Sequence, residues 1–450
     1  MAQIKGQVIN QENRMPVEFA NVTIEGTFIG VMANNEGEFE LHVPDEYKGK
    51  NIIIARLGFI PDTIFSFKPN QKVLVTLAPQ QIQLAEVVVK PVNPLDILRK
   101  AIEKIPENYS IRPVYLNAYY RELVKTGDAF VKYADAACKI YYCGYETPFN
   151  KMEAGQKFYH LDLENWGRNT PFPQAVNSIP HQCDAVQILA TRKSNDLEHF
   201  VNRWDFEGAL KKFDISGGPL RITSADLVKL RKDIVDTTTW KHYRFRFEGL
   251  LGEEGGDRVY RISFEPQGNN ENAIWRGVLY IDEKSDAFME FEYSVSEKGK
   301  KYLKEKDHER IIDLKNEKIK KELNKSSVKR VIKHTNQSVA VKYSDYRGKW
   351  YLSHVKIAND IENGGDVFDT IKYSTYQELF INNIQLHDVV SLPEEDVFNT
   401  NNFSYLYYYP FEYAPSFWKT YNTPVPTGEF PKALNDLEKE KSLQEQFQKK

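Results

Sequence analysis

Between Trp240 and Ser374 the sequence alternates, residue by residue, between side chains that seek an apolar core and side chains that seek water. Tyr243, Phe245 and Phe247 alternate with His242, Arg244 and Arg246. Tyr260, Ile262 and Phe264 alternate with Arg261 and Ser263. Met289, Phe291, Tyr293 and Val295 alternate with Glu290, Glu292 and Ser294, and Val339, Val341 and Tyr343 repeat the pattern. Successive side chains of a strand point to opposite faces, so this rhythm predicts an antiparallel sheet with one buried and one wetter face. Turns are expected at Gly255-Gly256, Gly268-Asn269, Asp282-Glu283-Lys284 and Arg347-Gly348. The 26 Tyr and 26 Phe of the chain suit such a sheet, because flat rings pack well on a pleated surface.

The first ninety residues have a different texture. Short apolar runs at Ile4 to Ile9, Ala20 to Ile24, Phe39 to Val43, Ile52 to Ala55 and Val73 to Leu77 are separated by Gly, Pro and Asn. That spacing predicts a small β-sandwich. Asn35-Glu36-Gly37 is a turn with a physical cause, since Asn and Gly tolerate positive φ. Pro91 to Pro94 reads as a linker, with Asn93 capping a helix that begins at Pro94. Leu95, Leu98, Ala101, Ile102 and Ile105 then follow at helical spacing, and Pro106 marks the expected stop. From Lys151 to Asp236 helices and long loops are expected. A chain of 450 residues thus divides into a sandwich over 1–90, an α+β domain over 91–430 and a helical tail over 431–450.

The run IKGQVINQENRMPVEFANVTIEGTFIGVMANNEGEFELHVP, followed by IIIARLGFIP, resembles the carboxypeptidase-like regulatory domain, a transthyretin-like β-sandwich. The matching positions are Gly6, Pro16, Ala20, Val22, Gly26-Thr27, Gly37, Phe39 and Gly58-Phe59. The resemblance implies an all-β accessory module for docking or spacing, without catalytic residues. A His-x-x-Glu pair, half of a carboxypeptidase zinc site, is absent from the sequence. Leu84 to Val89 resembles the run that follows this domain in outer-membrane nutrient receptors; its plainer reading is the last strand of the sandwich. The meander after Phe247 resembles lipoprotein-carrier-like proteins, in which a curved sheet wraps a helix. It is also similar to the second domain attached to such regulatory modules in envelope proteins of Gram-negative bacteria. The fold expected is therefore an all-β N-terminal transthyretin-like sandwich plus a larger α+β domain on an antiparallel sheet that can curve.

Charge excludes one class of function and leaves another open. Sixty Lys and Arg oppose 63 Asp and Glu, a net charge of −3, so no nucleic-acid partner is expected. The stretch 297–333 departs from this balance, with 14 basic against 7 acidic residues. It reads as an exposed helical excursion or long hairpin whose alternative role is contact with anionic lipid headgroups or an acidic partner. No apolar run approaches the ~20 residues of a membrane-spanning helix. The chain opens Met1-Ala2-Gln3 without a leader, which fits either a cytoplasmic protein or a mature exported chain; export is the working expectation, to the periplasm or outer membrane.

Motifs for phosphate loops, nucleophile elbows and zinc helices are missing. His181 and Cys183 stand two residues apart, a poor geometry for a thiol–imidazole pair. Cys138, Cys143 and Cys183 are too few for a disulfide framework, their pairing stays open, and no metal or cofactor is expected. Arg244, Arg246 and Arg261 can share a face and hold an anion, unless Glu290 and Glu292 on that face neutralise them. The aromatic segment around Tyr407, Tyr408, Tyr409 and Trp418 is the candidate binding surface for a glycan or envelope protein; the same residues also suit a tail packed on its own sheet. The function expected is a non-enzymatic binding or scaffolding protein of the cell envelope. The alternatives are a hydrolase with its site in a cleft of the second domain, or a periplasmic carrier of an apolar ligand.

Overall fold

A computed structural model describes residues 2–80, 82–83, 92–145, 184–193, 218–252, 257–268, 273–305, 308–313, 317–366, 369–398 and 414–425. The chain is mostly β. Strands β1 (Ala2–Asn10), β2 (Asn21–Ile24), β3 (Gly30–Met32), β4 (Glu38–Val43), β5 (Ile52–Ala55), β6 (Asp62–Ile64) and β7 (Gln71–Leu77) form two sheets, ordered β4-β1-β7 and β3-β2-β5-β6. Ile4, Val8, Val22, Ile24, Phe39, Leu41, Ile52 and Ile54 close the apolar layer between them. The turn into β4 forms where the sequence places it. The Asn34 side-chain oxygen accepts from the amides of Glu36 and Glu38, at 2.9 and 2.8 Å. Gly37 has φ +72°, and a Cβ there would lie 2.2 Å from the Val8 carbonyl oxygen, so only glycine fits.

The next strand, β8 (Ile82–Gln83), leaves the sandwich and pairs with the edge of the large sheet. Leu84 to Val89, read from sequence as the last sandwich strand, lies outside the described residues. Helix α1 (Pro94–Glu103) starts as expected, with the Asn93 side chain accepting from the Leu95 amide at 3.1 Å. It ends before Pro106. That proline lies in the first turn of a separate short helix, Ile105–Asn108, where its missing N–H is no loss.

The remaining strands are β9 (Val114–Thr126), β10 (Ala129–Tyr142), β11 (Ala185–Lys193), β12 (Tyr243–Leu251), β13 (Val259–Pro266), β14 (Trp275–Asp282), β15 (Phe288–Val295), β16 (His308–Asp313), β17 (Ser327–Tyr346), β18 (Lys349–Gly365) and β19 (Ile371–Gln385). With β8 they make one 12-stranded sheet, ordered β11-β10-β9-β19-β18-β17-β15-β14-β13-β12-β8, with β16 paired to β17. All its pairs are antiparallel and it stays open, with β11 at one edge and β8 at the other. The stretch 297–333 combines both shapes foreseen for it: helices Glu297–Glu305 and Glu317–Leu323 flank β16, which forms a hairpin with β17. The helical tail expected over 431–450 lies outside the described residues.

The two faces of the sheet differ. The inner face carries Leu116, Tyr120, Ile262, Leu279, Phe291, Val341 and Leu379, which share one apolar cluster with Leu98, Ala101 and Ile105 of the helical segment. Short helical turns between Arg221 and His242 complete this layer. Their anchor is Asp226, fully buried, whose carboxylate accepts from the phenols of Tyr142, Tyr145 and Tyr343 at 2.6–2.7 Å and from the Lys229 amide at 2.9 Å. Burial first, and then the Asp226 charge, pushes those three phenols well above their ordinary pKa. The outer face is polar, and parts of it are covered by the N-terminal sandwich and by residues 414–425.

Candidate functional site

The outer face is organised by register. Lys356 lies opposite Glu378, Glu378 opposite Arg121, Arg121 opposite Asp135, and Asp135 opposite Arg192. Charge thus alternates across five adjacent strands, the arrangement in which directly opposed side chains attract. The Arg192 guanidinium meets the Asp135 carboxylate at 2.6 Å, and Tyr119 donates to the same carboxylate at 2.7 Å. A second row joins Glu290, Lys342 and His354, each opposite the next. His354 Nε2 is 2.9 Å from Glu378 and links the two rows.

The sandwich docks on this second row. Arg56 reaches Glu290 at 2.9 Å, and Lys342 approaches the same carboxylate at 3.2 Å. Phe19 stacks on His354 with ring centroids 6.2 Å apart, beneath the ammonium groups of Lys342 and Lys356 at 5.5 and 4.8 Å from its centroid. Its φ is +57°, a left-handed conformation that a bulky L-residue rarely adopts. Strain of this kind persists only where the surroundings over-determine it, and it clusters at binding sites.

Beside Phe19, over strands β12 to β18, opens a groove of about 560 Å³, a size typical of small-molecule sites. Arg244, Arg246, Arg276, Lys342 and Lys356 line it against Glu265 and Glu292. Arg244 and Arg246 share Glu265, at 3.8 and 3.3 Å. Glu290 is not their partner, because it is held by Arg56 and Lys342. Arg261 is on the same face, beside Tyr280 and outside the groove lining. Burial, reinforced by neighbouring Glu290, raises the Glu292 pKa, and Arg56 lies 3.7 Å from its carboxylate. A smaller cavity of about 280 Å³ lies on the other side of Phe19, reaching Arg121, Glu378 and Pro424.

His354 and Glu378 make the site sensitive to acid. Burial lowers the His354 pKa from 6.5 more than Glu378 raises it, and Lys342 and Lys356 add to the lowering. Burial alone would raise Glu378, yet His354, Arg121 and Lys356 bring it down to about 2 from 4.5. In both cases the unfolded chain binds protons more readily than the folded one, so stability falls as pH falls. For His354 the loss begins as pH drops through about 6.5, and for Glu378 it runs from about 4.5 towards 2. Urea denaturation at pH 7.5, 6, 5 and 4 is expected to show this decline, and His354→Gln is expected to flatten its upper part. A stability independent of pH between 7.5 and 5 would contradict the assignment.

Of the candidate binding aromatics, Trp418 is described and is 9% exposed, packed against Tyr119 and Tyr421 with Arg192 4.2 Å over its ring. Its contacts are those of the packing alternative. Tyr407, Tyr408 and Tyr409 lie outside the described residues, as do His181 and Cys183. Cys138 is a free, buried thiol and Cys143 is disulfide-bonded. No group of three or more metal-ligating side chains occurs among the described residues. Sequence reasoning did not single out Phe19, Arg56, Arg276, Lys342, His354 or Lys356. The available signal was only that Lys342 and Lys356 fall on the polar phase of alternating runs.

Residues 4–89 match the family model described as CarboxypepD_reg-like domain. The N-terminal sandwich is a carboxypeptidase-regulatory-like domain. No curated protein matches the chain. Among solved structures, a DUF1329 family protein from Desulfovibrio piger is similar at 10% identity and a TM-score of 0.25, covering 67% of this chain and 96% of that one. A candidate membrane-associated protein of unknown function from Bacteroides fragilis is similar at 8% identity and a TM-score of 0.14, covering 85% and 98%. Likenesses at these scores carry no argument about fold or function. The carboxypeptidase-regulatory-like domain accounts for the sandwich, and the large sheet stands on its own geometry.

Proposed function

We propose that this is a non-enzymatic binding protein of the bacterial cell envelope, in which the regulatory-like domain is docked on the large sheet and forms one wall of the binding site. The groove between Phe19 and the polar sheet face carries this reading. It is lined by charged and polar side chains of the sheet together with Phe19 of the sandwich. Export is supported by Cys143, since disulfides form and persist in oxidising compartments. The aromatic segment around Tyr407 to Tyr409 remains a second contact surface in this proposal, and the basic stretch 297–333 a peripheral contact with anionic membrane surface.

A hydrolase has one observation in its favour, the His354–Glu378 pair, whose histidine lines the groove. His354 Nδ1 has no hydrogen-bond partner among the described residues, so no described hydroxyl or thiol is placed for activation by it. The binding reading is tested by assaying the full chain against chromogenic esters, amides and phosphoesters beside His354→Gln. No turnover dependent on His354 is expected, and turnover lost in the variant would establish an enzyme instead. Fractionation of cells that make the protein naturally is expected to find it in the envelope with Cys143 oxidised; a cytoplasmic protein with Cys143 reduced would contradict export.

A further inference from the structure

We propose that residues 414–425 form a strap that locks the regulatory-like domain onto the large sheet and opens without unfolding either core, with Asn422 as its clasp. This goes beyond the binding reading above and stands whatever the groove takes up.

One attachment is the edge of the sandwich. β4 is the outermost strand of its sheet, and in an antiparallel pair every second residue turns its N–H and C=O away from the partner strand. Such an edge is open to pairing with another segment. At His42 the Asn422 carboxamide takes up both groups: its Oδ1 accepts from the His42 amide at 2.8 Å, and its Nδ2 donates to the His42 carbonyl at 3.1 Å. The other attachment is a bulge in the large sheet. The register of β19 against β9 shifts between Ile381 and Asn383, which makes Asn382 the extra residue. A bulge re-aims a side chain, and Asn382 donates to the Asn422 carbonyl at 3.1 Å. Tyr421 donates at 2.9 Å to the carbonyl of Ala118, which lies opposite Ile381 at the same shift. Two consecutive strap residues thus tie β4 of one domain to β9 and β19 of the other.

The strap is built to come away. No backbone–backbone hydrogen bond joins it to either domain among the described residues, so its hold rests on side chains. Ser416, Lys419 and Thr420 are exposed, while Trp418 and Pro424 are the buried residues of the segment among those described. Trp418 is an imperfect anchor. Its Nε1 is buried without an acceptor, and so is the Nε of Arg192, whose guanidinium lies over its ring. A buried donor left unpaired costs free energy, which water recovers when the contact opens. Local openings of this kind, held by few buried contacts, take less free energy than unfolding a core. Release would carry Pro424 and Val425 out of the wall of the cavity beside Arg121 and Glu378, and would free the sandwich to lift Phe19 from His354.

Carbethoxylation of histidines in the full chain, read by mass spectrometry, tests the strap. His354 is 2% exposed and stacked under Phe19, whereas His387 is exposed and serves as the internal reference. In the parent, His354 is expected to react far more slowly than His387. Asn422→Ala deletes both bonds to His42 and is expected to speed the reaction of His354 about tenfold, with His387 unchanged. Hydrogen exchange in β5 and β9 is expected to stay as slow as in the parent, because both cores remain folded. Tyr421→Phe keeps the ring and removes one bond, so it is expected to speed His354 about threefold; it decides the matter if Asn422→Ala does not fold. Lys419→Ala, at an exposed position of the strap, is expected to leave the rate as it was. Unchanged reactivity of His354 in the folded variant would overturn the strap. Faster reaction accompanied by faster exchange in both cores would overturn it as well, since that is unfolding and not release. So would a parent in which His354 reacts as fast as His387, because the domain would then not be docked at all.

Discussion

Replacing Asp226 with alanine is expected to lower the stability of the protein by about 3–5 kcal/mol, a large part of the ~5–15 kcal/mol typical of a folded domain. One buried carboxylate terminates three phenols and caps the helical turn Leu227–Leu230. Removing it leaves Tyr142, Tyr145 and Tyr343 as buried donors without an acceptor, and each orphaned donor costs about 1–3 kcal/mol where the site cannot relax or admit water. Tyr343→Phe removes one donor and leaves Asp226 with its other partners, so it is expected to cost only about 1–2 kcal/mol. Urea denaturation followed by tryptophan fluorescence measures both. A cost for Asp226→Ala no larger than that for Tyr343→Phe would show that the carboxylate is not the anchor of the inner layer.

Glu290→Ala has the second-largest expected effect, about 3–5 kcal/mol, from a different cause. Glu290 is nearly buried between Arg56 of the sandwich and Lys342 of the sheet. Burial by itself would raise its pKa, but Lys342 and Arg56 together hold it below the ordinary value. Without the carboxylate, Lys342 is a buried ammonium that has lost its ion pair, and Arg56 keeps only its longer contact with Glu292, at 3.7 Å. The unfolding curve is then expected to broaden or split, as the regulatory-like domain separates from the sheet before either core melts. A sharp transition at the parent midpoint would mean that the ion pair contributes nothing to docking.

The fold was legible wherever a local rule decides it. Alternation assigned the strands and faces of β12, β13, β15 and β17, and the Asn34 to Gly37 turn and the Asn93 cap followed from side-chain chemistry confined to a few residues. Bulges were not legible. The register shift beside Ile281 moves Phe288, rather than Met289, into the core, and alternation alone cannot locate an extra residue. The site was legible only in part, for a reason of the same kind. Arg244, Arg246 and Arg261 were recognised as a cationic face, with Glu290 and Glu292 as the carboxylates that would pair with them. Which carboxylate meets which cation depends on strand order and register over more than a hundred residues, and the answer was Glu265 from β13. Arg56 and Phe19 were beyond reach altogether, because their partners lie on another domain and no periodicity in the sandwich records them. Asp226 looked like one polar residue among many, since its three phenols come from Tyr142, Tyr145 and Tyr343.

The central claim is that the regulatory-like domain is fixed on the polar face of the sheet and builds the groove with it. A double-mutant cycle on Arg56 and Glu290 tests this most directly, because the two residues belong to different domains and meet only if the domains are docked. Arg56→Ala, Glu290→Gln and the double variant, compared by urea denaturation, are predicted to give a coupling energy of about 1–3 kcal/mol. Effects that add to within about 0.5 kcal/mol would contradict it, and would mean that the domain is a tethered spacer and the groove has only one wall.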